Sequence, residues 1–254
     1  MTLDCHAMRR RLREALRSGP VVGTFVKLPV PDLMVVLATT EIDFVVVDLE
    51  HSTLSQAEAL DLVRSAVAAD LPALVRLPSV DAGLVNRLLE AGAAGIQLSM
   101  LSTLDQRRAL VDATRFAPHG RRSISLANPA AAFGAVPPHE LVRLDHQDPP
   151  VLVGQVETAQ TDPLDELLAG LDVAFVGTTD LAVDLGESAG AEALRAAVDA
   201  VRAAASGLGI GFGGWVAARG LVDDMGLADA RYVVVSSDLQ VLASGLRRLA
   251  VDDA

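Results

Sequence analysis

Residues 42–78 read IDFVVVDLEHSTLSQAEALDLVRSAVAADLPALVRLP, and this stretch decides the fold. A β-branched run, FVVV, is followed by a segment of helical periodicity and then by a second short apolar run, ALV. Apolar runs bounded by turn signals are what a parallel sheet needs when helices cover both of its faces. The same alternation extends outward in both directions. Strands are expected at 21–26, 44–48, 73–77, 95–98, 152–156, 173–176, 209–213 and 232–235. Helical patterns follow each of them, at about 31–38, 55–69, 82–91, 104–115, 162–168, 191–205, 217–226 and 239–249. Eight such pairs in 254 residues predict an α/β fold, a single-domain (β/α)8 TIM barrel carrying an extra N-terminal helix. An open doubly wound sheet would usually present a glycine-rich phosphate turn after its first strand, and Gly23-Thr24-Phe25-Val26-Lys27 is not one. Residues 118–150 break the rhythm with Gly120, Asn128, Pro129, Pro137, Pro138, Pro149 and Pro150. This insertion before the fifth strand reads as a functional loop or a subunit contact, with a disordered excursion as the alternative.

Composition narrows the partners. Apolar residues form 51% of the chain and charged residues 21%, enough for a sizeable core under a charged surface. A net charge of −12 argues against a nucleic-acid partner, because phosphate binding needs clustered lysine and arginine. The longest basic cluster, Arg9 to Arg13 with Arg17, is expected on a solvated face of the N-terminal helix. No window reaches the roughly 18 consecutive apolar residues of a membrane span, and the first twenty residues contain no signal-peptide core. A single cysteine, Cys5, excludes an intrachain disulfide framework, so a reducing, cytoplasmic setting is expected. Lys27 is the only lysine and therefore the one candidate for a Schiff-base mechanism.

Barrel enzymes carry their chemistry at the carboxyl ends of the strands. There the second strand ends in Asp48, Glu50 and His51, which reads either as a solvated loop or as an Asp48–His51 dyad for general acid–base work. The third sets Arg76 inside an apolar run, where burial requires an anionic partner, structural or substrate. The fifth delivers Gln155 and Glu157 on one side of the strand, and the sixth delivers Asp180 just past its end. If those strands are neighbours, the two carboxylates converge, and such a pair with open positions suits Mg2+ or Mn2+.

In order and spacing, GTFVKLPVPD (23–32), DFVVVDLEH (43–51), VRLPSVDAGLVNRLLEAGAAGIQL (75–98), QVET (155–158) and GTTDLAVDLG (177–186) resemble the HpcH/HpaI family of class II pyruvate aldolases. The resemblance runs from about Gly23 to the final helix. It implies a TIM barrel assembled as a homo-oligomer, a hexamer or trimer, that cleaves 4-hydroxy-2-oxo acids to pyruvate and an aldehyde, or runs the reverse addition. It further implies that Glu157 and Asp180 hold a divalent metal, Mg2+, Mn2+ or Co2+, and that Gln155 hydrogen-bonds the oxo acid. Arg76 would face the oxygen that becomes an enolate, and His51, steered by Asp48, would assist proton transfer at the aldehyde-derived hydroxyl. Backbone amides around Gly177, Thr178 and Thr179 would receive the substrate carboxylate.

The chain departs from the family pattern at Glu90, Ser99, Thr178 and Ser123, and NPAAAFG (128–134) lacks a usual arginine. These changes are expected at the substrate end, altering acceptor specificity rather than removing the chemistry. Three alternatives stay open: a related lyase or condensing enzyme acting on oxaloacetate or a CoA ester, a Lys27 Schiff-base aldolase, and a non-catalytic oxo-acid-binding barrel.

Overall fold

The computed structural model describes residues 5–186 and 190–250. A helix, α1 (Cys5–Ser18), precedes β1 (Val21–Val26), α2 (Asp32–Ala38), β2 (Phe44–Asp48), α3 (Gln56–Ala68), β3 (Ala73–Leu77), α4 (Ala82–Ala91), β4 (Gly95–Leu98) and α5 (Leu104–Thr114). A 3-10 turn (Pro129–Gly134) and α6 (Pro138–Gln147) lead into β5 (Val151–Val156), α7 (Leu164–Leu167), β6 (Val173–Val176), α8 (Thr178–Leu185) and α9 (Gly190–Leu208). The chain ends through β7 (Gly211–Val216), a 3-10 turn (Arg219–Leu221), β8 (Tyr232–Ser237) and α10 (Asp238–Leu249). All eight strands are parallel to their neighbours, and β8 pairs with β1 to close the barrel. The expected TIM barrel is present.

Strand parity turns this closure into a site. In β2, Phe44 and Val46 belong to the cluster filling the barrel, while Val45 and Val47 belong to the cluster between barrel and helices. Successive side chains point to opposite faces, so Asp48 continues the inward row of Phe44 and Val46. By the same count Leu74 is followed inward by Arg76, and Val151 and Val153 by Gln155. In these three strands the inward rows are apolar at the amino end and polar at the carboxyl end. Gly23 makes room for the floor of this column: a Cβ there would overlap the Phe44 ring, which stacks on Tyr232 with centroids 4.4 Å apart.

Of the arginines of α1, Arg10, Arg11 and Arg17 are exposed as expected, but Arg9 and Arg13 are not on a solvated face. Arg9 is 1% exposed. Its Nη1 donates to Asp145 Oδ1 at 2.9 Å, and Nε and Nη2 reach the Ala93 carbonyl at 3.4 and 3.3 Å. Arg10 pairs with Asp148 at 2.8 Å, and Arg13 clasps Asp172 through Nε and Nη2, both at 2.9 Å. These carboxylates lie more than a hundred residues away in sequence, so periodicity in α1 carries no sign of them. Arg9→Ala leaves Asp145 buried with Arg122 as its remaining close cation, at 3.3 Å. A loss of about 3 kcal/mol in urea denaturation at neutral pH is the expected result.

Residues 118–150 carry a 3-10 turn and α6 and are tied to the helices beside them. Asp145 and Asp148 tie them to α1, and Arg122 Nε donates to Asn86 Oδ1 of α4 at 2.9 Å. Other boundaries also moved. The seventh strand starts at 211, because Gly209, with φ of 68°, terminates α9 in the left-handed conformation. The helix expected over 217–226 is only a 3-10 turn; Leu227 just beyond it reaches the core, and Gly226 at φ 70° stops further winding. No helix among the described residues is long and apolar enough to cross a membrane.

Candidate active site

At the carboxyl end of the barrel a cavity of about 380 Å³ opens between the ends of β1, β2, β3, β5, β6, β7 and β8. Arg76, Gln155, His51, Lys27 and the Gly177–Asp180 turn line it, as do three aromatic rings, Phe25, Phe175 and Trp215.

Asp48, fully buried, organises the cationic side. Its Oδ1 accepts Arg76 Nε at 2.9 Å and its Oδ2 accepts Arg76 Nη2 at 2.6 Å, a two-pronged clasp. Lys27 Nζ stands 3.1 Å from Oδ2, and the backbone N–H groups of Glu50 and His51 donate to Oδ1 at 3.0 and 3.1 Å. Burial pushes the Asp48 carboxyl up, but Arg76, the His51 N–H and Lys27 outweigh it and hold the group down at about 2. Arg76 also lies over the Phe25 ring at 4.2 Å, and its Nη1 is 3.2 Å from Glu50 Oε2. With both prongs clasped and one face stacked, the guanidinium has a single orientation.

The expected Asp48–His51 dyad takes another form. Asp48 holds the backbone of His51, and the imidazole turns to Glu50, with Nε2 3.8 Å from Oε2. The His51 side chain is 57% exposed, at the rim of the cavity. A carboxylate saturated by Arg76, Lys27 and two amides has no lone pair directed at the ring. Lys27 is equally committed: besides Asp48 it donates to the His51 carbonyl at 3.1 Å, and a Schiff base would require it to leave both.

The acidic side is built from β5 and α8. Glu157, 2% exposed, accepts the Met100 N–H at 2.7 Å on Oε1 and the Gln155 amide on Oε2. Met100 has φ of 50°, the left-handed turn accompanying this contact. Gln155 is itself oriented by Gln97, whose Nε2 donates to its Oε1 at 2.6 Å, and Tyr232 donates to Gln97 Oε1 at 3.1 Å. The amide nitrogen of Gln155 is thereby directed at Glu157. Asp180 lies exposed in the first turn of α8, a helix not expected from the sequence. Burial raises the Glu157 carboxyl from its ordinary value, Gln155 and Met100 oppose this, and the charges of Glu50 and Asp180 add to the rise. Glu50 Oε2 is buried and makes no hydrogen bond despite the nearby Arg76 charge, because the guanidinium approaches without donor geometry. Glu157 thus lies within reach of the charges of two further carboxylates, Glu50 and Asp180.

Among the described residues, no three His, Cys, Asp or Glu side chains form a metal cage by themselves. Glu157 and Asp180 are the two carboxylates there that the resemblance implies as metal ligands. At the Gly177 turn one expectation needs correction. The Gly177 N–H is already bonded to the Val156 carbonyl at 3.0 Å, leaving the first-turn amides of Thr178 and Thr179 for an anion. The contribution of Gly177 is space, since a Cβ there would overlap Glu157.

The departures from the family pattern do not gather at the substrate end. Glu90 Oε1 and Ser123 Oγ each accept from Asn86 Nδ2 at 3.1 Å, on α4 and outside the cavity lining. Ser99, fully buried, donates to the Leu77 carbonyl at 3.1 Å. Thr178 alone of the four lines the cavity. Sequence reading passed over Phe25, Phe175 and Trp215 as cavity walls, although Phe25 and Phe175 carry the inward parity that selected Gln155. It also left unassigned Asp238, whose Oδ2 accepts the N–H groups of Lys27 and Leu28 at 2.8 Å each, joining the start of α10 to the end of β1.

The model of a family described as HpcH/HpaI aldolase/citrate lyase matches residues 22–242. The chain is 33% identical over 217 residues to a 4-hydroxy-4-methyl-2-oxoglutarate aldolase of Hapsidospora irregularis, covering 82% of this chain and 80% of that one. It is 31% identical over 182 residues to a hydroxypyruvate/pyruvate aldolase of Sagittula stellata, covering 70% and 71% respectively. The crystal structure of an HpcH/HpaI aldolase/citrate lyase family protein from Burkholderia cenocepacia superposes with a TM-score of 0.82 at 27% identity, covering 97% of this chain and 98% of that one.

Proposed function

The chain belongs to the HpcH/HpaI aldolase/citrate lyase family, and on that premise we propose that it is a divalent-metal-dependent aldolase that cleaves or forms 4-hydroxy-2-oxo acids, with pyruvate and an aldehyde as the other side of the reaction. The observation that carries this is the presence at one cavity of Asp180, with buried Glu157 within reach of its charge, and of a rigidly clasped guanidinium, Arg76. Burial of Glu157 and repulsion from the charges of Glu50 and Asp180 make that corner a fit for a cation. Glu157 and Asp180 would hold Mg2+, Mn2+ or Co2+, which supplies Lewis-acid polarisation of a 2-oxo group when bound.

The chain's own residues account for the remaining steps. The carboxylate of the oxo acid docks on the free amides of Thr178 and Thr179, and the Gln155 amide nitrogen lies beside its oxygens. In cleavage, His51 accepts the proton of the 4-hydroxyl, the C3–C4 bond breaks, and the aldehyde leaves toward the rim where His51 stands. The electron pair of that bond becomes the enolate of pyruvate, whose negative oxygen is stabilised by Arg76, already oriented before the charge develops. A proton then returns to C3. Asp48 acts through Arg76 and through the backbone of His51, as a positioning residue.

The test is exchange of pyruvate methyl protons in D2O, followed by NMR with and without EDTA, then with Mg2+, Mn2+ or Co2+ restored. The expected outcome is exchange that EDTA stops and metal restores. Exchange indifferent to EDTA would transfer the chemistry to Lys27, and absence of exchange would leave a different oxo acid, a CoA ester or a binding role. His51→Ala is expected to slow aldol cleavage about 100-fold or more while sparing methyl exchange by comparison, measured side by side. Equal losses would refute the assignment of His51 to the hydroxyl proton.

A further inference from the structure

At the amino-terminal end of the barrel, remote from the cavity just described, a second concavity of about 510 Å³ opens between α1, the end of α9 and the first residues of β7 and β8. It is within the size range of small-molecule sites. Arg13, Arg17 and Arg231 stand on its walls with one carboxylate, Asp172, among them. Arg13 and Asp172 neutralise each other through their two-pronged contact, and Asp172 Oδ2 additionally accepts the Leu152 N–H at 2.8 Å. Arg17 and Arg231 have no such partner: among the described residues neither has a carboxylate within ion-pair distance. Arg231 Nη1 donates to the Arg17 carbonyl at 2.7 Å, which fixes its guanidinium beside the concavity and leaves its other donors free. Leu16, Leu171 and Ile210 give the concavity an apolar floor.

The chain carries a net −12, and several exposed arginines sit beside an acid, as Arg64 does with Asp61 and Arg108 with Asp105, whereas Arg17 and Arg231 do not and stand together on one recess. Two unneutralised guanidinia converging on one recess form a local trap for an anion in an otherwise repelling field. Arginine forks match the oxygens of phosphate and carboxylate groups, and the apolar floor suits a short carbon body.

We propose that this concavity is a second ligand site, binding a small molecule whose dianionic head, a phosphate ester or a pair of carboxylates, is held by Arg17 and Arg231 while its carbon body rests on Leu16, Leu171 and Ile210. The site is separate from the reaction proposed above and does not depend on it. Isothermal titration calorimetry on the full chain, with phenyl phosphate and with adipate as probes, tests it. At least one probe is expected to bind saturably to one site, with affinity lowered about tenfold or more in Arg17→Ala/Arg231→Ala and unchanged in the control Arg64→Ala/Arg108→Ala. Both altered side chains are exposed, and matching melting temperatures will verify that the variants fold. Binding of phenyl phosphate alone identifies a phosphate ester as the ligand class, and binding of adipate alone identifies a dicarboxylate. Absence of saturable binding by either probe overturns the proposal. So does equal affinity in the Arg17→Ala/Arg231→Ala variant, which would locate the probe at Arg76, and so does equal weakening by the control.

Discussion

Glu157→Gln is expected to lower aldol turnover about a thousandfold, equivalent to about 4 kcal/mol of transition-state stabilisation, while leaving the metal-free protein as stable as before or more so. The two effects have one origin. Glu157 is 2% exposed and faces Glu50 and Asp180, so its charge is unfavourable in the metal-free fold and useful only when a cation shares the corner. Glutamine keeps the shape and an oxygen for the Met100 N–H, but removes the charge that would hold the ion. Steady-state kinetics, metal titration by calorimetry and thermal melting in EDTA together provide the check. Lost activity with unchanged metal affinity would contradict the ligand role, and a large fall in the melting temperature of the metal-free protein would show that Glu157 is instead a structural group.

Asp48→Asn is expected to be the most damaging single change to stability at this end of the barrel, costing about 3–5 kcal/mol. The amide retains one acceptor oxygen but turns an N–H2 toward Arg76 or Lys27, leaving buried cations without their counter-charge. Catalysis should fall as well, since Arg76 loses its clasp and the His51 backbone loses its tether. The pH dependence has a definite sign. The folded-state carboxyl sits at about 2, below its ordinary value of 3.8. Its stabilising contribution is therefore present above about pH 4 and is lost as pH falls through about 2, an amount on the order of 2 kcal/mol. Urea denaturation of the wild type between pH 5 and pH 2, read against Asp48→Asn, should show this component in the wild type alone. Parallel acid dependence in the two proteins would remove Asp48 from the account. Lys27→Met, which removes one cation and keeps the Arg76 clasp, should be much milder than Asp48→Asn in the same assay.

The amino-acid sequence by itself determined the barrel and the inward rows, because both follow from local periodicity. Eight short apolar runs alternating with helical patterns leave few other ways to cover a parallel sheet. Period-two alternation assigns Phe44, Val46 and Asp48 to one face, or Val153 and Gln155, before any tertiary contact is known. Boundaries were less legible where one residue's backbone conformation sets them, as Gly209 does in delaying β7. Pairing was not legible at all. Arg9 and Asp145 are 136 residues apart, Arg13 and Asp172 are 159, and the same basic letters would serve an exposed helix equally well. Nor does DLEH reveal that Asp48 turns to Arg76 on the next strand rather than to His51 three residues along. That choice follows the register in which Asp48 lies opposite Arg76, where two prongs and mutual burial outweigh a local contact with an exposed imidazole. Closing the barrel brings these partners together, and only closure decides which charges are neutralised and which, like Arg17 and Arg231, are left facing a recess.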